Sequence, residues 1–161
     1  GPVSRLLKNA IVAPPLPTVT TRVDWLAGAS VLMRQSVLDQ IGVFDETFFL
    51  YFEETDLCLR AARAGWPTVY VVESRVMHLG SVSTGMKEWR RVPGYWFASR
   101  RHYFQKNHGR LYALAATLAH VAGLGLYGLR VLVQRKKPHT PPYFLRDLVK
   151  HEWGTRRPQE S

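Results

Sequence analysis

Three acids fall within four residues, Glu53, Glu54 and Asp56, the densest acidic cluster in the chain. Carboxylates in that pattern can supply a general base together with a second group that positions it or binds substrate hydroxyls. The same charges also suit the positive end of a helix dipole without any catalysis. Just before them, the aromatic run from Phe44 to Phe52 contains Asp45 and Glu46 and reads as a loop over a pocket. Sugar and ring substrates pack on such residues. His78 begins a Gly/Ser loop after a short apolar stretch. A neutral imidazole there could complete a divalent-metal site, but only with carboxylates from elsewhere; a lone histidine is more often structural.

The elements that must position these groups are legible in outline. Residues 1–21 hold Pro2, Pro14, Pro15 and Pro17 and read as an irregular leading segment. The stretch from Val23 to Met33 is strand-like, broken by Gly28. Ser36 and Asp39 have capping-box spacing ahead of a short helix that Gly42 ends. The next helix is the best marked: acids in its first turn, Arg60 and Arg63 in its last, and Gly65 to close it. Thr68 to Val72 is expected to be a short buried strand. From Trp89 to Arg110 the composition turns to Arg, His and aromatics. Leu111 to Val133 is then almost uncharged between basic flanks, and Tyr143 to Trp153 is a short amphipathic stretch.

Gly123, Gly125 and Gly128 satisfy G-x-G-x-x-G, with Asp147 beyond them. The dinucleotide fingerprint needs a strand before the glycines and a helix after them. These lie inside an apolar segment that reads as helical throughout, so a nicotinamide or flavin site is excluded. The apolar segment is long enough to span a bilayer; an interfacial or buried helix is at least as good a reading.

With 161 residues, 46% of them hydrophobic, and one cysteine, the chain is neither disordered nor a disulfide scaffold. No basic-plus-apolar leader is visible, so a cytosolic address is expected. Charge is sharply divided. Residues 1–86 hold 7 Lys/Arg against 8 Asp/Glu, whereas residues 87–161 hold 15 against 4. Such asymmetry suits a phosphate-rich or anionic-membrane contact at one end and separate chemistry at the other.

One stretch carries a family pattern. VDWLAGASVLMRQSVLDQIGVFDETFFLYFEETDLCLRAARAGW, Val23 to Trp66, resembles the C-terminal half of bacterial family-2 glycosyltransferases of the GT-A type, particularly the rhamnosyltransferase-like group acting on lipid-linked glycans. The matching positions include Trp25, Gly28, Arg34, Gly42, the Phe44-Asp45-Glu46 triplet, Phe48 to Tyr51, Glu53, Asp56, Cys58, Arg60 and His78. Ala98 to Gly109, ASRRHYFQKNHG, is similar to the region after the catalytic core in that group.

The resemblance implies an α/β fold: the acceptor-side part of a GT-A catalytic domain over residues 22–86, then a basic, mainly helical extension over 87–161. It implies transfer of a sugar, with inversion, from a nucleotide-sugar donor to a lipid-linked glycan acceptor in cell-envelope polysaccharide synthesis. Glu54 takes the place of the catalytic base, as Glu where the commonest residue is Asp. Trp25, Asp45, Glu46, Glu53 and Asp56 take substrate-binding places, and His78 that of a ligand to a divalent ion, Mg²⁺ or Mn²⁺. The family's D-x-D motif, which holds that ion, does not occur in this sequence. The chain is therefore expected to be a fragment entering mid-fold, inactive by itself. Its expected place is the cytoplasmic face of the inner membrane, attached peripherally through the basic half. The rival reading is a non-catalytic remnant that docks on membranes or a partner. Nucleic acid ranks last as a partner, because no recognisable module accompanies the charge.

Overall fold

A computed structural model describes residues 16–77, 90–135, 137 and 140–154. Among the described residues are five helices and one two-stranded sheet, a mixed α/β arrangement. In chain order they are β1 (Thr21–Val23), α1 (Gln35–Ile41), α2 (Glu53–Arg63), β2 (Thr68–Tyr70), α3 (Gly94–His108), α4 (Arg110–Val133) and α5 (Phe144–Trp153).

The first half is built on α2. Its acids occupy the first turn and Arg60 and Arg63 the last, as the dipole favours. Its end is a Schellman turn: the Gly65 amide donates to Ala62 and the Trp66 amide to Ala61, with Gly65 at φ +87°. Leu57, Cys58 and Ala61 are buried along one side, with Val37 of α1 and Phe48 of the intervening loop also in the core. Trp66 donates through Nε1 to Gln40 at 2.7 Å, which ties the end of α2 back to α1.

The sheet is smaller than the sequence suggests. β1 pairs antiparallel with β2, Thr21 opposite Tyr70 and Val23 opposite Thr68, and residues 24–33 form no strand. A strand needs a neighbour for its N–H and C=O groups; β2 is only three residues long and reaches no farther than Val23. Thr68 to Val72 is not a buried strand either, since Val69 and Val71 are exposed. The Ser36 cap is absent: the N-cap lies two residues earlier, at Arg34, without a side-chain bond, and Asp39 instead accepts from Gln35 Nε2 at 2.8 Å. Gly42, at φ +78°, does end that helix.

The second half is a three-helix cluster. Gly109, at φ +86°, turns the chain between α3 and α4. α5 then packs on both, burying Phe97, Ala113 and Leu148. Arg91 clamps Asp147 of α5 with two charge-assisted hydrogen bonds, Nε to Oδ2 at 2.7 Å and Nη2 to Oδ1. Gly94 opens α3 directly under the His151 ring, where a Cβ would approach to 3.2 Å. Gly123, Gly125 and Gly128 all lie inside the unbroken α4, as a helix without a nucleotide turn requires.

Truncation should separate the packed from the unpacked side of this cluster. Leu148→Ala, at a position 2% exposed, is expected to cost about 2–5 kcal/mol. Leu132→Ala, at a position 75% exposed, is expected to change stability by less than about 0.5 kcal/mol. Urea denaturation of both variants checks the contrast.

Candidate functional site

The acids of the first half meet the cations of α3. Lys106 Nζ lies 2.8 Å from Asp45 Oδ2 and 2.8 Å from Asp56 Oδ2, bridging the loop before α2 to α2 itself. Asp56 has no exposed surface, and both its oxygens are occupied: Oδ1 accepts from Asn107 Nδ2 at 2.8 Å and Oδ2 also accepts from Arg60 Nε at 2.8 Å. Asp45 pairs further with His102 Nε2 at 2.9 Å and accepts the Thr47 amide at 2.9 Å. Burial alone would raise both carboxyls. The bonds from His102 and Lys106 at Asp45, and from Lys106, Asn107 and Arg60 at Asp56, outweigh it and hold both below the ordinary carboxylate value of 3.8.

Arg60 fixes the rest of the loop. Its guanidinium donates to the carbonyls of Ile41, Gly42 and Val43, where α1 has just ended. Arg63 reaches Asn107 O at 2.7 Å. The four residues Ser99, His102, Lys106 and Asn107 thus fasten one side of α3 to the first half, with Ser99 Oγ donating to Leu50 O at 2.9 Å.

Glu53 and Glu54 stand apart from this network. They open α2 after two consecutive aromatic residues in the left-handed region, Tyr51 at φ +71° and Phe52 at φ +70°. For non-glycine residues that conformation costs on the order of 1–3 kcal/mol each, and it persists where surrounding structure imposes it. Here ring packing imposes it: Phe52 lies against Trp96 and Tyr103, and Tyr51 stacks on Tyr95. The reversal leaves both glutamates half-buried, with Oε2 of each buried and without a hydrogen-bond partner. Burial pushes the Glu53 carboxyl above its ordinary value, and the neighbouring Glu54 charge adds to the rise.

The expected site residues therefore divide. Glu53 and Glu54 carry open acceptor oxygens. Trp25, in the loop after β1, is half exposed, and Glu46 is exposed. Asp56, expected to bind substrate, is instead sealed into the joint between α2 and α3, and Asp45 is committed to the same joint. The run from Phe44 to Phe52 packs on α3 through Phe48–His102 and Phe49–Tyr95 contacts. His78 lies outside the described residues. Among the described residues no three His, Cys, Asp or Glu side chains stand together as a divalent ion would need. The oxygens of Asp45 and Asp56 already face the Lys106 ammonium, so this donor set does not fit such an ion.

The partners missed from the sequence are His102, Lys106 and Asn107. Their signal was the ASRRHYFQKNHG stretch itself, in which His102 and Lys106 are four apart and share a helix face.

A family model described as "Glycosyltransferase like family 2" matches residues 15–84. An N-acetylglucosaminyl-diphospho-decaprenol L-rhamnosyltransferase of Mycobacterium tuberculosis is 46% identical over 63 residues, 39% of this chain and 20% of that protein. The rhamnosyltransferase WbbL of Escherichia coli is 41% identical over 58 residues, 36% of this chain and 22% of that protein. The low-salt glycan biosynthesis hexosyltransferase Agl10 of Haloferax volcanii is 44% identical over 41 residues, 26% of this chain and 13% of that protein. The chain thus matches about a fifth of the length of the first two relatives. No solved structure matches it. The resemblance to family-2, rhamnosyltransferase-like glycosyltransferases stands on residues 15–84, which contain Glu53, Glu54 and the Asp45–Asp56 acids.

Removing the shared cation should expose the joint. Lys106→Met strips one partner from a buried carboxylate and is expected to cost about 3 kcal/mol. Because Asp45 and Asp56 titrate lower folded than unfolded, their contribution is full above about pH 4 and drains as pH falls further. In Lys106→Met the folded and unfolded values lie closer together, so stability should start lower and less of it should be lost between about pH 4 and pH 2. Thermal melts between pH 2 and 7 on both proteins check the difference.

Proposed function

We propose, with the family-2 match over residues 15–84 as the premise, that this chain carries the acceptor-side part of a GT-A-type glycosyltransferase. The complete protein would transfer a sugar with inversion from a nucleotide-sugar donor to a lipid-linked glycan acceptor at a membrane surface. The observation that carries the reading is Glu54 Oε2: a buried carboxylate oxygen without a hydrogen-bond partner, at a strained helix start, inside the matched segment. A general base needs an acceptor site that the protein has not filled.

In this reading Glu54 accepts the proton of the attacking acceptor hydroxyl as that oxygen bonds to the anomeric carbon. The nucleoside diphosphate leaves from the opposite face, which inverts the centre. Glu53, Glu46 and the half-exposed ring of Trp25 are the sugar contacts, the ring offering an apolar face and the acids accepting from hydroxyls. Asp45 and Asp56 act at one remove, holding the loop and α2 against α3 so that the glutamates keep their position. A divalent ion, if used, would steady the departing diphosphate. The described residues do not fit one, so no step here is routed through it.

Glu54→Gln keeps the shape and removes the base. In the complete protein, turnover of sugar transfer to a lipid-linked acceptor is expected to fall roughly 10²–10⁴-fold, with donor affinity nearly unchanged. A radiolabelled transfer assay with parallel donor-binding calorimetry measures both. Near-normal turnover would move the base elsewhere.

A further inference from the structure

The long helix α4 presents two opposite faces, and only one of them is used by the protein. At 3.6 residues per turn, Ala113, Thr117, His120 and Leu124 fall on one side. Ala113 and Thr117 are buried, and the His120 ring lies tilted against Phe144 of α5, centroids 5.4 Å apart. Leu111, Leu118, Leu126, Leu129, Leu132 and Val133 fall on the other, within an arc of about 120°. Those six are between 53% and 85% exposed. Of the most apolar window of this 24-residue helix, 6% is buried. An apolar face about 36 Å long is therefore open to solvent from end to end.

Two observations name its occupant. First, α4 contains no acid, and basic residues stand at both ends: Arg110 at its start, Arg130 in its last turn, and Arg135 and Lys137 beyond. A second copy laid along this face would bring like charges together whether parallel or antiparallel, whereas anionic lipid headgroups neutralise them. Second, the opposite face is polar where it meets the protein. Arg100 Nη1 donates to Thr117 Oγ1 at 2.9 Å, and Thr117 Oγ1 donates to Glu152 Oε2 at 3.1 Å. A bilayer span by α4 would draw Arg100, Glu152 and the other charges of α3 and α5 into hydrocarbon with it.

We propose that α4 lies in the plane of an anionic bilayer, its Leu111–Val133 face sunk at the acyl boundary and α3 and α5 riding above it on the water side. A helix in that position buries one face and keeps its basic ends at headgroup level. The placement deepens the membrane partner named under Proposed function, but it stands on the surface of α4 alone. Loss of transfer in Glu54→Gln and loss of lipid binding are thus separate readouts.

The test uses sedimentation with phosphatidylglycerol/phosphatidylcholine vesicles. The chain should partition onto them at low salt, less at high salt, and least onto pure phosphatidylcholine. The double variant Leu126→Glu/Leu129→Glu, at exposed positions, should melt like the parent yet partition at least tenfold more weakly. Spin labels on Leu111→Cys, Leu118→Cys and Leu129→Cys should report one common depth. Graded depths along the helix would overturn the in-plane placement in favour of a span. No vesicle binding, or binding unaffected by the double glutamate variant, would overturn it altogether. So would a lipid-free dimer that this variant dissociates.

Discussion

One ammonium group bridges two carboxylates at the joint between the two halves of the molecule. Lys106 sits between Asp45 and Asp56, with Asn107 and His102 bonding the same two carboxylates from neighbouring turns of α3. Residues 1–86 carry 8 acids against 7 cations, and α3 brings Lys106 to two of those acids. Asp56 has left water completely, which is tolerable only because three donors converge on it. The joint is therefore a mutual dependence, in which neither α2 nor the loop before it has a satisfied core without α3.

That dependence sets the geometry at the start of α2. The αL backbone of Tyr51 and Phe52 is unfavourable in isolation, and rings from α3 keep it in place. Strain imposed this way points Glu53 and Glu54 away from the ion-pair network that consumes their neighbours. Of the five acids in residues 45–56, Asp45 and Asp56 are paired with cations, Glu53 and Glu54 each keep an oxygen unfilled, and Glu46 is exposed.

Local rules carried the reading of the sequence a certain distance. The charges at both ends of α2, Gly65 beyond it, and the amphipathic spacing of α5 are short-range signals, and those helices lie where the signals put them. The three glycines of α4 were separable from a nucleotide loop because no strand precedes them. What local rules missed was decided by distant partners. Residues 24–33 have strand composition but no strand beside them. The Ser36–Asp39 cap failed for a local reason instead, a side-chain bond from Gln35 to Asp39 one turn along the same helix. Asp56 looked like a site residue because its type and neighbours fit one. Only its bonds to residues 50 and 51 positions later show that it is closed. The acidic cluster itself was legible, and the segregation of Glu53 and Glu54 from Asp45 and Asp56 was not.

The separation in sequence of the Lys106 pairs, 61 residues from Asp45 and 50 from Asp56, also has a consequence in time. A chain is made from its N-terminus at about 5–20 residues per second. The acidic half therefore emerges seconds before the helix that neutralises it. Until then Asp56 has no reason to leave water, Leu57 and Cys58 cannot settle beside it, and Tyr51 and Phe52 have no rings to force them into the left-handed region. The first half has bonds of its own, such as Trp66 to Gln40 and Arg60 to the carbonyls where α1 ends, but its pairs with α3 are of long range and slow to form. The joint between α2 and α3 is thus completed only after α3 has been made.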